Sequence, residues 1–351
     1  MVHTQSWSSI LTALLAGEHL SVADAAWAMD QVMSGEATDA QLAAFLVALR
    51  AKGETVDEIA GLAQGMLERA TPIALDRRSV DVVGSGGDRA NTVNVSTMAA
   101  IVAAGAGAPV VKHGNRAASS ACGAADVLEE LGVVLNVRPE RQAEVLDAAG
   151  IVFLFAPLYH PSLRHAATAR RELGIQTPFN FLGPLANPAR PSAQAVGIAD
   201  RRMAALVAGV LAQRGTQGLV FHGDDGLDEL TTTTMSDIWV IGDGRVTETR
   251  LDPAQLGLAA ATPSDLVGGT AAHNAAVVRA LLAGERGAVR DIVVLNAAAA
   301  LLAFDKPDRD SDLVAQLTER VQRAAGAIDS GAAAGVLEAW VAATRRVTAG
   351  D

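Results

Sequence analysis

The chain has 351 residues, of which 50% are hydrophobic and 19% are charged, and its formal net charge is −11. This composition excludes a chain that is disordered throughout, and the length fits two domains, or one large domain with a smaller lobe. The low aromatic content of 3% and the acidic balance argue against a broad nucleic-acid surface, although a local basic patch is compatible with both.

Cysteine usage and hydropathy bear on the compartment. Cys122 is the single cysteine, so an intramolecular disulfide is excluded and a reducing cytoplasm is predicted. We expect its thiol to be a small buried group rather than a nucleophile. The sequence shows neither a signal peptide nor an unbroken apolar run of the roughly 20 residues that span a membrane. We therefore expect a soluble protein without a membrane segment.

The N-terminal part of the chain predicts a set of helices. Thr38 and Gln41 form a capping box, and Gly53 ends the helix that follows. Thr55 and Glu58 open the next helix in the same way. Apolar residues recur at helical spacing after the first of these caps. No acid–base constellation occurs in this part of the chain, so we expect it to serve as scaffold or dimer contact.

From residue 79 onwards, strands and helices alternate. The predicted strands are "SVDVV" (79–83), "APVVK" (108–112), "GLVFH" (218–222), "DIWVI" (237–241) and "DIVVL" (291–295). The predicted helices are "TMAAIVAAGAG" (97–107), "GAADVLEELG" (123–132) and Arg201 to Gln213. This alternation predicts an α/β domain with a largely parallel sheet. A helical segment (160–174) and a proline-rich loop (178–191) interrupt the pattern.

Three polar loops follow predicted strands. They are "GSGGDRANTVNVST" (84–97), "KHGNRAASS" (112–120) and "HGDDGLDE" (222–229). Ligands of parallel sheets bind beyond the carboxyl ends of the strands, where loops from neighbouring strands meet. The three loops are therefore predicted to surround one crevice.

The first loop is a candidate phosphate site. Three glycines in four positions, starting at Gly84, let backbone N–H groups approach a phosphate at the start of a helix. The loop matches neither the dinucleotide fingerprint nor the P-loop, and the glycines alone fit a tight turn equally well. Asp88 and the run Asn94, Ser96 and Thr97 favour a phosphate or Mg²⁺ site, although hydroxyls at a helix start also act as caps.

The other two loops carry opposite charges. Lys112 and Arg116 are two cations around a glycine, which predicts phosphate contacts or a solvated turn. Asp228 and Glu229 are adjacent carboxylates, which predict either Mg²⁺ ligands beside substrate phosphates or an acidic surface. Neither loop decides between its alternatives alone.

The chain resembles the anthranilate phosphoribosyltransferase family through an ordered set of motifs: G-S-G-G-D, N-V-S-T, K-H-G-N-R, "RRELG" with "TPFNFLGPLANP", and "GLDE". The resemblance extends over nearly the whole chain. It implies the fold shared with class II pyrimidine nucleoside phosphorylases, in which a small helical domain joins a larger α/β domain with a mostly parallel sheet. The helical domain would be residues 1–70, completed by about 163–190. The α/β phosphoribosyl-binding domain would be 71–162 and 191–351, and the protein would be a homodimer.

The resemblance also implies an activity and its residues. The phosphoribosyl group of 5-phosphoribosyl 1-pyrophosphate would pass to anthranilate, giving N-(5-phosphoribosyl)anthranilate and pyrophosphate in tryptophan biosynthesis, with two Mg²⁺ ions. The donor would be bound by Gly84, Gly87, Asp88, Thr92, Asn94, Val95, Ser96, Thr97, Lys112, His113, Gly114, Asn115, Arg116, Ala117, Ala118, Ser119, Ser120 and Ala124. Anthranilate would be bound by Gly84, His113, Asn115, His160, Arg170 and Gly183. Ser96, Asp228 and Glu229 would hold the metal, and Lys112 and Arg170 would be the catalytic cations.

Three positions depart from the family pattern. Ala124 stands where serine is frequent, Gln176 where arginine is frequent, and Ser85 in place of the usual threonine. The implied mechanism stabilises the departing pyrophosphate with Mg²⁺ and Lys112, while the neutral anthranilate amine attacks without a strong general base.

Two other functions are alternatives to this one. The first is a pyrimidine nucleoside phosphorylase, against which the "FNFLGPLANP" loop and the adjacent Asp228 and Glu229 argue. The second is a non-catalytic relative that binds nucleic acid, which the net charge of −11 and the same acids disfavour.

Overall fold

The structure, a computed structural model, describes residues 5–117 and 121–350. Four helices form its N-terminal part. They are α1 (Trp7–Leu15), α2 (Val22–Ser34), α3 (Asp39–Lys52) and α4 (Val56–Glu68). The two predicted capping boxes are confirmed, with Thr38 Oγ1 accepting from Gln41 N at 3.2 Å and Thr55 Oγ1 accepting from Glu58 N at 3.3 Å. The caps place the predicted apolar stripe of α3 in the core.

One sheet forms the centre of the larger part. Its strands are β1 (Val80–Gly84), β2 (Val110–Gly114), β3 (Ile151–Phe155), β4 (Ala193–Gly197), β5 (Gln217–Gly223), β6 (Ser236–Gly242) and β7 (Arg245–Leu251). Within the described residues the order is β3-β2-β1-β4-β5-β6-β7. The pairs from β3 to β5 are parallel, and β6 and β7 return antiparallel. The predicted mostly parallel sheet is confirmed. Its strand order reverses between β1 and β4, where open α/β sheets leave a binding crevice.

Helices cover both faces of the sheet. The remaining helices are α5 (Val95–Gly105), α6 (Ala124–Glu130), α7 (Gln142–Ala149), α8 (Ala156–Tyr159), α9 (Ala167–Leu173), α10 (Arg201–Gln213), α11 (Ala271–Leu282), α12 (Ala288–Asp305), α13 (Leu313–Asp329) and α14 (Ala332–Thr348). One core lies between the sheet and α5, α7 and α11 to α14. The other joins α10 and the N-terminal helices to the opposite face. No helix among the described residues is long and apolar enough to cross a membrane.

The predicted strand "DIVVL" is wrong, because residues 291–295 lie inside α12. This helix packs against α5, α13 and the sheet, and it is buried on nearly every side. A fully buried helix has no polar stripe, so its short apolar runs look like those of a buried strand. The interrupting segment is helical as predicted, with a 3-10 helix (Pro161–Ala166) followed by α9, and it packs against α2 and α3.

Candidate active site

The loop after β5 lies across the carboxyl ends of β1 and β4. Gly84 ends β1 and pairs in register with Gly197, which ends β4. A Cβ atom on Gly84 would overlap the carboxylate of Asp228, and one on Gly197 would overlap its carbonyl oxygen. The two glycines are therefore needed for this loop (residues 222–229, here called the acidic loop) to reach the point where the strand order reverses.

The loop of residues 84–97, here called the glycine loop, carries several residues with positive φ. Gly86 and Gly87 have φ of 72° and 86°, and Arg89 and Asn91 have φ of 60° and 52°. Each of these two non-glycine residues costs about 1–3 kcal/mol of backbone strain. Such strain persists only where surrounding contacts impose it. Here Gly268 N donates to the carbonyl of Asn91 at 2.8 Å, next to an isolated bridge that joins residues 92 and 267.

Asp228 and Glu229 face inward, and this excludes the alternative of an acidic surface. Each is only 8% exposed. Asp228 Oδ2 accepts from Gly86 N at 2.6 Å, and Glu229 Oε1 accepts from Ser96 N at 3.2 Å. The acidic loop and the glycine loop are thereby joined, as the prediction of a single crevice requires.

Lys112 is buried near these acids and does not lie in a solvated turn. It is 2% exposed, and its Nζ donates to the carbonyl of Val82 and to Ser96 Oγ, the latter at 3.2 Å. Burial lowers its pKa, while Asp81, Glu229 and Asp228 act in the opposite direction. In this arrangement Lys112 is first of all a counter-ion for buried carboxylates.

The acids outnumber the cation. Burial and, to a smaller extent, the neighbouring Asp88 raise the pKa of Asp228 to about 7. Burial and Asp228 raise the pKa of Glu229 well above its ordinary value. A divalent cation would relieve this repulsion. Among residues 5–117 and 121–350, no group of three or more His, Cys, Asp or Glu side chains could hold a metal. A cation would therefore need further oxygen ligands from hydroxyls, water or a bound substrate.

Two buried histidines lie beside the proline-rich loop. The rings of His113 on β2 and His160 after α8 are 5.2 Å apart. His113 Nδ1 lies 3.4 Å from the carbonyl of Gly183, and His160 Nε2 lies 2.7 Å from that of Ala186. Because a carbonyl only accepts, each of these nitrogens carries the proton. Burial lowers both pKa values, that of His113 to about 3, so both rings are neutral at pH 7.

Two groups in this area, a buried histidine nitrogen and a guanidinium, have no hydrogen-bond or carboxylate partner within the described part of the chain. His113 Nε2 is buried, and no group in the described part of the chain hydrogen-bonds to it. The guanidinium of Arg170 on α9 lies 5.1 Å from the centre of the Phe179 ring. Burial lowers its pKa, and no carboxylate among the described residues pairs with it. The two groups suit a ligand that carries an N–H and an anionic group.

Comparison with known proteins identifies the family. A family model described as "Glycosyl transferase family, a/b domain" matches residues 76–334, and one described as "Glycosyl transferase family, helical bundle domain" matches residues 8–70. The anthranilate phosphoribosyltransferase of Acidothermus cellulolyticus is 60% identical over 342 residues, which cover 97% of this chain and 96% of that protein. The chain belongs to the anthranilate phosphoribosyltransferase family.

Solved anthranilate phosphoribosyltransferases have the same fold. The enzyme from Thermus thermophilus has a TM-score of 0.88 and 41% identity, covering 96% of this chain and 99% of its own. The enzyme from Saccharomyces cerevisiae, solved in complex with PRPP and Mg, has a TM-score of 0.87 and 26% identity, covering 98% and 100%.

Several residues predicted from the family motifs meet in this crevice. The glycine loop, Lys112 and the two acids lie together, as described above, and the histidine pair lies against Gly183. Gln176, exposed in the loop after α9, comes within 3.9 Å of the position that a Gly87 Cβ would take. The proline-rich loop thus approaches the glycine loop.

The loop after β2 contains an exposed, ion-paired arginine. Arg116 is exposed and bonded at 2.9 Å to both Asp126 and Glu129, so it is already paired. Asp126 also accepts from Ala117 N at 3.0 Å. Asn115 is exposed. The predicted contacts of Ala118, Ser119 and Ser120 lie outside the described residues, and those of Gly114, Asn115, Arg116, Ala117 and Ala124 stay predictions.

Sequence reasoning missed two buried polar residues that support the crevice. Asp81 Oδ1 accepts from His113 N at 3.3 Å, and its Oδ2 accepts from Asn187 Nδ2 at 2.8 Å. The signal for Asp81 was a charge within an otherwise apolar strand. Asn274 on α11 contacts Asn94, and no local pattern marked it.

Proposed function

We propose that the chain transfers the phosphoribosyl group of 5-phosphoribosyl 1-pyrophosphate to the amine of anthranilate in tryptophan biosynthesis, releasing pyrophosphate. One observation carries the proposal. A strained glycine loop lies over buried carboxylates, and β2 carries both Lys112, beside those acids, and His113 of the neutral histidine pair. Arg170 on α9 contacts the Phe179 ring and has no carboxylate partner among the described residues. The first half suits a metal-bound polyphosphate, and the second suits an aromatic amine with a carboxylate.

The donor would lie on the glycine loop. Gly84, Gly87 and the start of α5 would present backbone N–H groups to phosphate oxygens. Asp228 and Glu229, with the Ser96 hydroxyl, would hold Mg²⁺, and we propose two ions. When bound, Mg²⁺ supplies charge neutralisation for a pyrophosphate. The buried, mutually repelling carboxylates fit this role, and the Saccharomyces cerevisiae relative binds PRPP and Mg.

Anthranilate would lie between the histidines and Arg170. Arg170 would pair with its carboxylate, and His113 Nε2 would accept an N–H of its amine. A neutral histidine can accept that hydrogen bond without taking the proton in the ground state. The amine is itself a neutral nucleophile, so alignment with the ribose carbon contributes more than base strength. A related Saccharomyces cerevisiae structure contains 4-fluoroanthranilate.

Anthranilate fluorescence provides the test. The purified chain should consume anthranilate only when both the phosphoribosyl donor and Mg²⁺ are present, and pyrophosphate should appear in equal amount. Phosphate with a pyrimidine nucleoside, in place of the two substrates, tests the nucleoside phosphorylase alternative. Phosphorolysis in that mixture, without loss of anthranilate fluorescence in the first, would contradict the proposal.

The proposal extends to assembly. We propose a cytoplasmic homodimer whose helical domain, residues 1–70 completed by about 163–190, provides the contact, and whose second domain is 71–162 with 191–351. Two exposed apolar side chains support it: Leu15 on α1 is 81% exposed, and Val47 on α3 is 43% exposed. Light scattering after gel filtration should give twice the chain mass, and Val47→Asp should shift the protein toward monomer. A wild-type monomer would overturn this part alone.

A further inference from the structure

Asn274 connects α11 to the glycine loop through a directed chain of hydrogen bonds. It is 2% exposed. Gly269 N donates to Asn274 Oδ1 at 2.8 Å, and Asn274 Nδ2 donates to Asn94 Oδ1 at 2.7 Å. Asn94 Nδ2 donates in turn to the carbonyl of Cys122 at 3.1 Å. The chain therefore runs from the segment that packs on the glycine loop to the start of α6.

The two ends of this chain fix its direction. The backbone N–H of Gly269 can only donate, and the carbonyl of Cys122 can only accept. The amide of Asn94 must therefore direct its oxygen to Asn274 and its nitrogen to Cys122. One N–H of Asn94 is used by Cys122, and the other has no partner among the residues that the structure describes.

We infer that Asn274 is a positioning residue that makes the amide of Asn94 present an N–H, and not its oxygen, to the phosphoribosyl donor. The inference rests on the proposed function. The donor offers phosphate oxygens that only accept hydrogen bonds, and a carbonyl oxygen turned toward them would repel them. An asparagine side chain can turn over at little steric cost, because its oxygen and nitrogen are similar in size. The carbonyl of Cys122 binds the nitrogen of Asn94, and Asn274 provides the N–H that binds its oxygen, so the two neighbours together keep the amide in this orientation.

Asn274→Asp is the decisive variant. It keeps the size of the side chain and an acceptor for Gly269 N, but it replaces the N–H that faces Asn94 with an oxygen. Asn94 should then turn its nitrogen toward residue 274. The KM for the donor should rise about tenfold to a hundredfold, as expected for a hydrogen bond to a charged ligand. The KM for anthranilate should change less than about threefold, and calorimetric binding of the donor alone should weaken in parallel.

A double-mutant cycle separates this role from a general effect of charge or folding. If Asn274 acts through Asn94, then Asn274→Asp should add less than about twofold to the donor KM in an Asn94→Ala background. Asn274→Ala serves as an uncharged second variant and should show the same dependence on Asn94. Factors that multiply in the double variant would overturn the inference, as would equal changes in both KM values.

Asn187→Ala is the matched control. Asn187 is similarly buried, at 3% exposure, and donates to Asp81 and Val111 instead. Asn187→Ala should lower the urea midpoint by about as much as Asn274→Asp does. It should affect the KM for anthranilate more than the KM for the donor. A rise of the donor KM as large as in Asn274→Asp would also contradict the inference. Inactive wild-type protein would instead overturn the proposed function, so the two failures are distinguishable.

Discussion

Replacing Asp228 with Asn and Glu229 with Gln should stabilise the metal-free protein and remove most of its activity. Both acids are 8% exposed, and they repel each other and Asp88. The neutral amides keep the side-chain size and an acceptor for Gly86 N and Ser96 N. The double variant therefore removes charge while changing the shape of the site little.

The magnitude follows from Asp228. Its pKa is raised from 3.8 to about 7, and these three pKa units correspond to about 4 kcal/mol. Because the folded-state pKa lies above that of the unfolded chain, the corresponding stability is complete below pH 3.8 and is lost as pH rises through 7. At pH 8 the double variant should be more stable than wild type by about 1–3 kcal/mol. The expected gain is smaller than 4 kcal/mol because the attraction between Lys112 and the two carboxylates is also lost.

Urea unfolding followed by circular dichroism, in a chelator and from pH 5 to 8.5, measures the stability difference. Turnover against Mg²⁺ concentration measures the second effect, and we expect a loss of about a hundredfold or more that high Mg²⁺ partly restores. Asp224→Asn is the control. Asp224 is ion-paired with Arg250 and its side chain is 40% exposed, so its loss should change stability by about 0.5 kcal/mol or less. A double variant with unchanged stability and unchanged Mg²⁺ dependence would refute the reasoning.

Three further predictions concern single side chains. Arg170→Ala should raise the KM for anthranilate about tenfold or more and leave the donor KM nearly unchanged, since it loses a charge-assisted contact; equal effects in steady-state kinetics would contradict the assignment. Lys112→Met should lower the urea-derived stability by about 3–5 kcal/mol, because it leaves buried carboxylates without their cation, and donor binding in calorimetry should fall as well. Burial lowers the pKa of His113 to about 3, so the folded protein keeps this ring neutral, and folding stability falls as pH drops below 6.5 because the unfolded chain takes up a proton there and the folded protein does not. Between pH 6.5 and 4 the wild type should lose up to about 1.4 kcal/mol per pH unit more than His113→Asn in urea unfolding, and identical slopes would show that the imidazole is not held neutral.

Local patterns predicted several elements whose signals are local, although β3, with the strongly apolar segment "IVFLF", was not among them. The capping boxes of α3 and α4 depend on residues three positions apart, and they formed as predicted. β4 was missed because "AQAVG" is rich in alanine and glycine and has little strand propensity of its own. It is a strand because β1 and β5 pair with it on both sides. Long-range pairing of this kind leaves no mark in the short segment itself.

The residue types of the site were predictable, but their environments were not. The motifs placed Lys112, Asp228 and Glu229 in loops, where charged side chains are usually solvated. Asp228 and Glu229 are buried because the loop after β5 folds back over the strand ends, and Lys112 is buried because it lies within β2 and not in a loop. Burial then decides the pKa values and the role of Lys112 as a counter-ion. This information resides in tertiary contacts between segments more than a hundred residues apart, and no local pattern contains it.

The wrong strand prediction for residues 291–295 shows how an error in one element affects the site. Asn296 follows this segment in α12, and its side chain accepts from Leu230 N at 3.0 Å and donates to the carbonyl of Leu230 at 2.8 Å. Leu230 directly follows Glu229, so α12 is hydrogen-bonded to the backbone of the acidic loop, while Gly86 N and Ser96 N donate to its two carboxylates. In a strand, successive side chains point to opposite faces of the sheet, so the apolar residues 292–295 and Asn296 would not all be buried in the same core. The acids can be held together against their repulsion because a largely buried helix binds the backbone of the loop that carries them.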